Sequence, residues 1–209
     1  MPSLVVHLAL GGLLAAAFLQ EAFDARALLV VFVATTIPDL DVFAGFVIAG
    51  GHRSVLHNVW IPLFGASLLY YDTRLRRSSA VGGRWGQWGI AVAWVSVLAY
   101  AIAGIGLDLL YGVNPLYPVY DQFYKLTGKL VYSTQRGIVQ TFVDLGGSSG
   151  LGSAEEVGHV ASGVNPSQGS EPETVDRVFP VARAGWELYL TLTSAVVLAI
   201  RLLGNRLRS

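Results

Sequence analysis

Apolar residues fall into five runs along the chain, at about residues 4–20, 27–49, 56–71, 88–110 and 186–203, with polar or glycine-rich sequence between them. Each run approaches the ~20 residues that a helix needs to cross a bilayer. The third is the shortest and contains Pro62. In the fourth, the small residues of "AIAGIG" allow another helix to approach closely. The pattern predicts an all-α, polytopic membrane helix bundle of about five transmembrane helices. A long outer loop separates the last two. The first run has no basic residue before it, so it reads as a retained helix rather than a cleaved signal.

Composition agrees with this pattern. Hydrophobic residues make up 53% of the 209 and charged residues 13%, and mean hydropathy is +0.54. A soluble domain carries about 25% charged residues. Formal net charge is zero, which gives no reason to expect nucleic acid as a partner. The absence of cysteine excludes disulfides and thiolate metal sites.

Arginine placement orients the bundle. Arg74, Arg76, Arg77 and Arg84 lie between the third and fourth runs, and Arg201, Arg206 and Arg208 lie at the C-terminal end. By the positive-inside rule both regions are cytoplasmic. Five spans then put the N-terminus outside and the C-terminus in the cytoplasm. Three regions follow: a membrane bundle over 1–111, an extracytoplasmic loop over 112–185, and a final transmembrane helix with a basic tail over 186–209. From Asp144 to Asp176 there are six acids and no Lys or Arg, so 145–177 reads as flexible and solvated. His159 lies alone in that stretch and is not counted among the site residues.

Ionisable groups inside apolar segments demand a reason, because each costs several kcal/mol unless paired, hydrated or bound. They are His7, Asp39, Asp41, His57 and Asp108, with His52 and Arg53 beside them. Carboxylates and imidazoles are the ligand set of a divalent ion such as zinc or manganese. Such an ion would neutralise several acids and lower the pKa of a bound water. Ion pairs that lock helices together would gather the same residue types. Composition leaves both readings open.

Spacing adds detail. Asp39 and Asp41 would lie about 200° apart on a regular helix, so both face one ion only if the helix breaks. Pro38 supplies a break. His52 and His57 would diverge by about 140° on one helix, and a loop entering the third helix would let both turn inward. Arg53, between them, could hold a phosphate or an aspartate.

"PDLD", "HRSVLH" and "GLDLLYGVNPLYPV", in this order, resemble the membrane-bound, YdjM-like metal-dependent hydrolases. The resemblance covers about residues 1–120 and a final hydrophobic helix. It implies hydrolysis at a metal. On the matched positions the expected ligands are His7, Asp39, Asp41, His57 and Asp108, and the expected catalytic groups are His52, as a general base or further ligand, and Arg53. A likeness in arrangement to zinc-dependent phospholipase C enzymes turns the expectation toward a lipid or other phosphoester substrate at the bilayer. In one respect the chain departs from the family: its late histidine, four residues before Asp108, is here Gly104. The alternative reading is a non-catalytic membrane protein whose buried Asp/His cluster is structural or ion-binding.

Overall fold

Ser3 opens the first helix, α1 (Leu4–Phe18), by accepting a hydrogen bond from the Val6 amide. Asp24 caps α2 (Ala25–Thr36) in the same way through the Ala27 amide. The computed structural model describes residues 2–142, 150–167, 174 and 177–207. Beyond α2, Pro38 cannot supply the amide that a continuing α-helix needs, and the chain tightens into 3-10 turns, Pro38–Val42 and Ala44–Phe46. The expected break at Pro38 is therefore present. Residues 47–59 form successive turns, and α3 (Trp60–Tyr70) follows.

Asp72 and Ser79 cap α4 (Ala80–Ala99), which begins eight residues before the apolar run that predicts it. The Ser79 hydroxyl and then the Ala80 amide hold the Asp72 carboxyl down to about 2. A π turn (Tyr100–Gly106) and a 3-10 turn (Asp108–Leu110) carry α4 onward. Two small antiparallel pairs lie in the following segment. β1 (Phe123–Tyr124) pairs with β4 (Gly150–Gly152), and β2 (Leu130–Ser133) with β3 (Gly137–Gln140). A short helix, α5 (Ala154–Val157), begins with a capping box between Ser153 and Glu156. Of the stretch 145–177, Gly150–Gly152 and Ala154–Val157 lie in these elements. Its residues 145–149, 168–173, 175 and 176 lie outside the described residues. The last helix is α6 (Gly185–Arg206).

Three helical stretches among the described residues are long and apolar enough to cross a membrane: Ala25–Phe46, Ala80–Leu110 and Gly185–Arg206. α1 is a shorter apolar helix. α1 lies between α2 and α6, and α4 packs against both α1 and α2. The close approach of α1 to α6 requires Gly12, where a Cβ would meet Leu198 Cδ1 at 2.7 Å. Nearby, Ser194 Oγ donates to the Ala9 carbonyl at 2.8 Å. An apolar core of Leu19, Phe23, Ala27, Val31, Val92 and Val95 fills one end of the bundle. Arg201 and Asn205 of α6 reach the carbonyls of Gln20 and Phe23 at that same end. Outward-facing residues are apolar too: Leu29 and Val33 on α2, and Leu192, Val196 and Ile200 on α6, are exposed. An apolar outer surface on such helices is what hydrocarbon solvates.

Candidate metal centre

The polar cluster lies at the other end of the bundle, where the breaks in the helices fall. α1 supplies His7, the 3-10 turn after α2 supplies Asp39 and Asp41, the turns before α3 supply His52, Arg53 and His57, and the end of the α4 segment supplies Asp108. His7, Asp41, His52, Arg53, His57 and Asp108 are all buried.

Asp39 and Asp41 grip opposite edges of one imidazole. Asp41 Oδ2 accepts from His57 Nδ1 at 2.8 Å, while Asp39 Oδ1 lies 3.8 Å from His57 Nε2. A 3-10 turn separates alternate residues by about 240° rather than 200°, which lets the two acids approach the ring from different sides. Asp41 is saturated. Its Oδ1 accepts from His52 Nδ1 at 2.9 Å, and its Oδ2 also accepts from the Arg53 and Leu56 amides at 3.0 and 3.3 Å. Arg53 holds a left-handed backbone, φ 70°, which costs about 1–2 kcal/mol for a side-chain-bearing residue. Its amide bond to Asp41 helps offset that cost.

Facing this arrangement, His57 Nε2 lies 2.9 Å from Asp108 Oδ2, and His7 Nε2 lies 3.7 Å from Asp108 Oδ1. The Ala103 carbonyl fixes the His7 ring by contact with Nδ1 at 2.5 Å. His7 Nε2, His57 Nε2, Asp39 Oδ1 and both oxygens of Asp108 have no aligned hydrogen-bond partner. His57 and Asp108 are thus close without forming a directed hydrogen bond. Donor atoms of His7, Asp39 and Asp108 all lie within 4.8 Å of one another, so this group could hold a metal ion. The edge of a tetrahedron built on zinc distances is about 3.3 Å. Within that group the His7–Asp108 separation is 3.7 Å, and His57 Nε2 lies beside it, 2.9 Å from Asp108 and 3.8 Å from Asp39. Buried carboxylate oxygens without donors are costly, and a cation among them removes the cost. The donor set of imidazole nitrogen and carboxylate oxygen is one that divalent metal ions accept.

Arg53 donates from Nη1 to the Gly112 carbonyl at 3.2 Å, tying the turn before α3 to the segment after Asp108. That segment closes over the cluster. The Asn114 amide donates to the Arg53 carbonyl, Asn114 Nδ2 to Asp121, and the Ala154 amide to Asp121. Gly50 donates to the Gly158 carbonyl. His159 accordingly lies near His52: both line one cavity with Asn165 and Ser167. Nothing local in the sequence marks that neighbourhood, because it depends on a return of the chain over about a hundred residues.

Gly104 fills a packing role. A Cβ there would meet Pro38 Cγ at 2.7 Å and the Thr35 carbonyl at 3.2 Å. The turn at Pro38 therefore occupies the space that a larger side chain at 104 would need.

A family model described as YdjM inner membrane protein matches residues 1–171. No curated protein and no solved structure matches the chain.

Proposed function

The chain belongs to the YdjM inner membrane protein family, and for it we propose hydrolysis of an ester or phosphoester, at a divalent-metal centre, in a membrane-associated substrate. The observation that supports this most is the convergence of donor atoms from His7, Asp39 and Asp108 within 4.8 Å of one another, with His57 Nε2 2.9 Å from Asp108. These four would hold the ion. Asp41, whose oxygens are taken by protein donors, would orient His57 from behind, as carboxylates do for metal-bound imidazoles. This assigns Asp41 an orienting role in place of the expected ligand role.

When bound, a divalent ion supplies Lewis acidity and lowers the pKa of water. His52 is placed to move the proton. Asp41 accepts at its Nδ1, which leaves Nε2 as the basic nitrogen, and that atom has no protein partner. It would take the proton of the attacking water and return it to the leaving alkoxide. Arg53, buried beside the acids, would offset developing negative charge.

The protein purified without chelator should carry close to one equivalent of zinc or manganese and hydrolyse a phosphodiester. Chelation should abolish turnover, and refilling should restore it. Protein that lacks stoichiometric metal and gains no activity on refilling would rule the proposal out.

Topology follows from the same geometry. The α1–α2 turn and the end of α6 share the end opposite the cluster, and α6 carries Arg201 and Arg206 there. With the positive-inside rule, this supports a cluster open to the outer side, the N-terminus outside and the C-terminus cytoplasmic. A cysteine placed at Gln135, exposed between β2 and β3, should react with an impermeant thiol reagent in intact cells. Labelling only after lysis would invert the orientation.

A further inference from the structure

His52 stands between two unlike cavities. The larger, about 490 Å³, has walls of Val5, Val42, Val164, Val178 and Phe179, reaches Asp39, and has Arg183 on its lining. The smaller, about 240 Å³, lies against the turn at 45–50 and contains His52, His159, Asn165 and Ser167. No Asp, Glu, Lys or Arg is among the described residues that line the smaller one. Three polar atoms on its lining residues are buried without a partner: His52 Nε2, His159 Nε2 and Ser167 Oγ.

The chemistry of the two spaces differs accordingly. Aliphatic and aromatic walls favour a hydrocarbon chain, which gains by leaving water. In the smaller space Phe46, Val47, Ile48 and Val160 line part of the wall, and its polar groups are imidazole, carboxamide and hydroxyl with no fixed charge, which favours a small ligand that both donates and accepts hydrogen bonds. Hydroxyl groups do both. An ammonium group only donates and would enter without a counter-charge, and a second anion would enter without a cation. Arg183, on the wall of the larger cavity, provides positive charge for one phosphate near Asp39 and His52.

We propose that the two cavities receive the two ends of one amphiphilic phosphoester: a hydrocarbon tail in the larger, and a small, uncharged, hydroxylated head group in the smaller. The phosphoester linkage then lies at His52 and Asp39. The binding assignment stands on the cavities, while its catalytic meaning rests on the hydrolase reading above. In the cleavage step, the oxygen of water forms a bond to phosphorus and one ester P–O bond breaks. The proton taken by His52 leaves on the departing alcohol, and no redox partner is involved.

The test compares two lipids with the same acyl chains, phosphatidylglycerol and phosphatidylethanolamine, on the full-length, zinc-loaded protein in detergent micelles. Native mass spectrometry reads binding, and product release is followed in parallel. Phosphatidylglycerol is expected to bind about tenfold more tightly, because the ammonium head leaves buried acceptors and a charge unmatched. Asn165→Ala and Ser167→Ala, made separately so that a folding defect in one does not decide the matter, are expected to shrink that ratio toward unity. Turnover of the preferred lipid supports both readings. Preferential binding without turnover upholds the head-group site and removes the hydrolase reading. Equal binding of the two lipids, or a preference for the ammonium head, overturns the head-group site whatever the turnover.

Discussion

Asp108→Asn is expected to empty the metal centre, so that added metal no longer raises the melting temperature. Asn keeps the shape of the side chain but removes its charge and one acceptor oxygen. Both Asp108 oxygens lack aligned donors and face His57 Nε2 and His7 Nε2, so an ion would lose its bridge between the two imidazoles. Loss of a supporting residue behind the ligands lowers metal affinity by about 10–100-fold, and loss of a ligand itself should exceed that, with turnover falling at least as far. In the metal-free state Asp108 lies 2.9 Å from His57 Nε2 and 3.7 Å from His7 Nε2, so the substitution also removes one member of a buried pair, a loss of about 3–5 kcal/mol with or without metal. The metal reading adds a second loss, because an ion would stabilise the wild type and not the variant. Metal content by mass spectrometry, and melting temperatures with and without chelator, measure both. A wild type whose melting temperature is unmoved by chelation would establish the structural reading.

Asp41→Asn is expected to fail differently. Its carboxylate accepts from two imidazoles and two backbone amides. An amide presents one oxygen and one NH₂ group, so the NH₂ group must meet a donor that now has nowhere to bond. Metal affinity should fall by about 10–100-fold through loss of His57 orientation. Stability should fall as well, by about 2–3 kcal/mol in both metal-loaded and metal-free protein, since buried donors lose a charged acceptor. Melting curves and metal titration check both numbers. If Asp41→Asn instead loses its metal with no change in metal-free stability, Asp41 binds the ion directly.

Much of this site could be read from the chain because its chemistry conflicts with its setting. A proline followed by two acids in an apolar run is difficult to reconcile with an unbroken helix, and the 3-10 turn at Pro38–Val42 is how the chain resolves it. The roles within the site were less legible. Spacing places Asp39 and Asp41 at angles on an ideal helix, but which acid is saturated depends on the Arg53 and Leu56 amides, and those are aimed by turns that spacing does not describe. Gly104 stands out in sequence as a departure from the family pattern. What packs against it, Pro38, lies on a segment far away in the chain, which spacing does not reveal. The neighbourhood of His159 was illegible for the same reason. Its approach to His52 runs through Asn114, Asp121 and Ala154, a relay of polar contacts with no periodic signature.

The pairing of α1 with α6 bears on how the protein comes into being. His7 leaves the ribosome long before α6, the helix that packs beside α1. Ser194 holds α1 at Ala9, and at the start of α6 the Glu187 carboxylate accepts from Tyr111, just beyond Asp108. Until α6 has been made, the newborn chain carries its histidines and acids on helices whose final neighbours are missing. Maturation is therefore tied to synthesis of α6: a product truncated before it would lack the brace behind both His7 and the Asp108 turn.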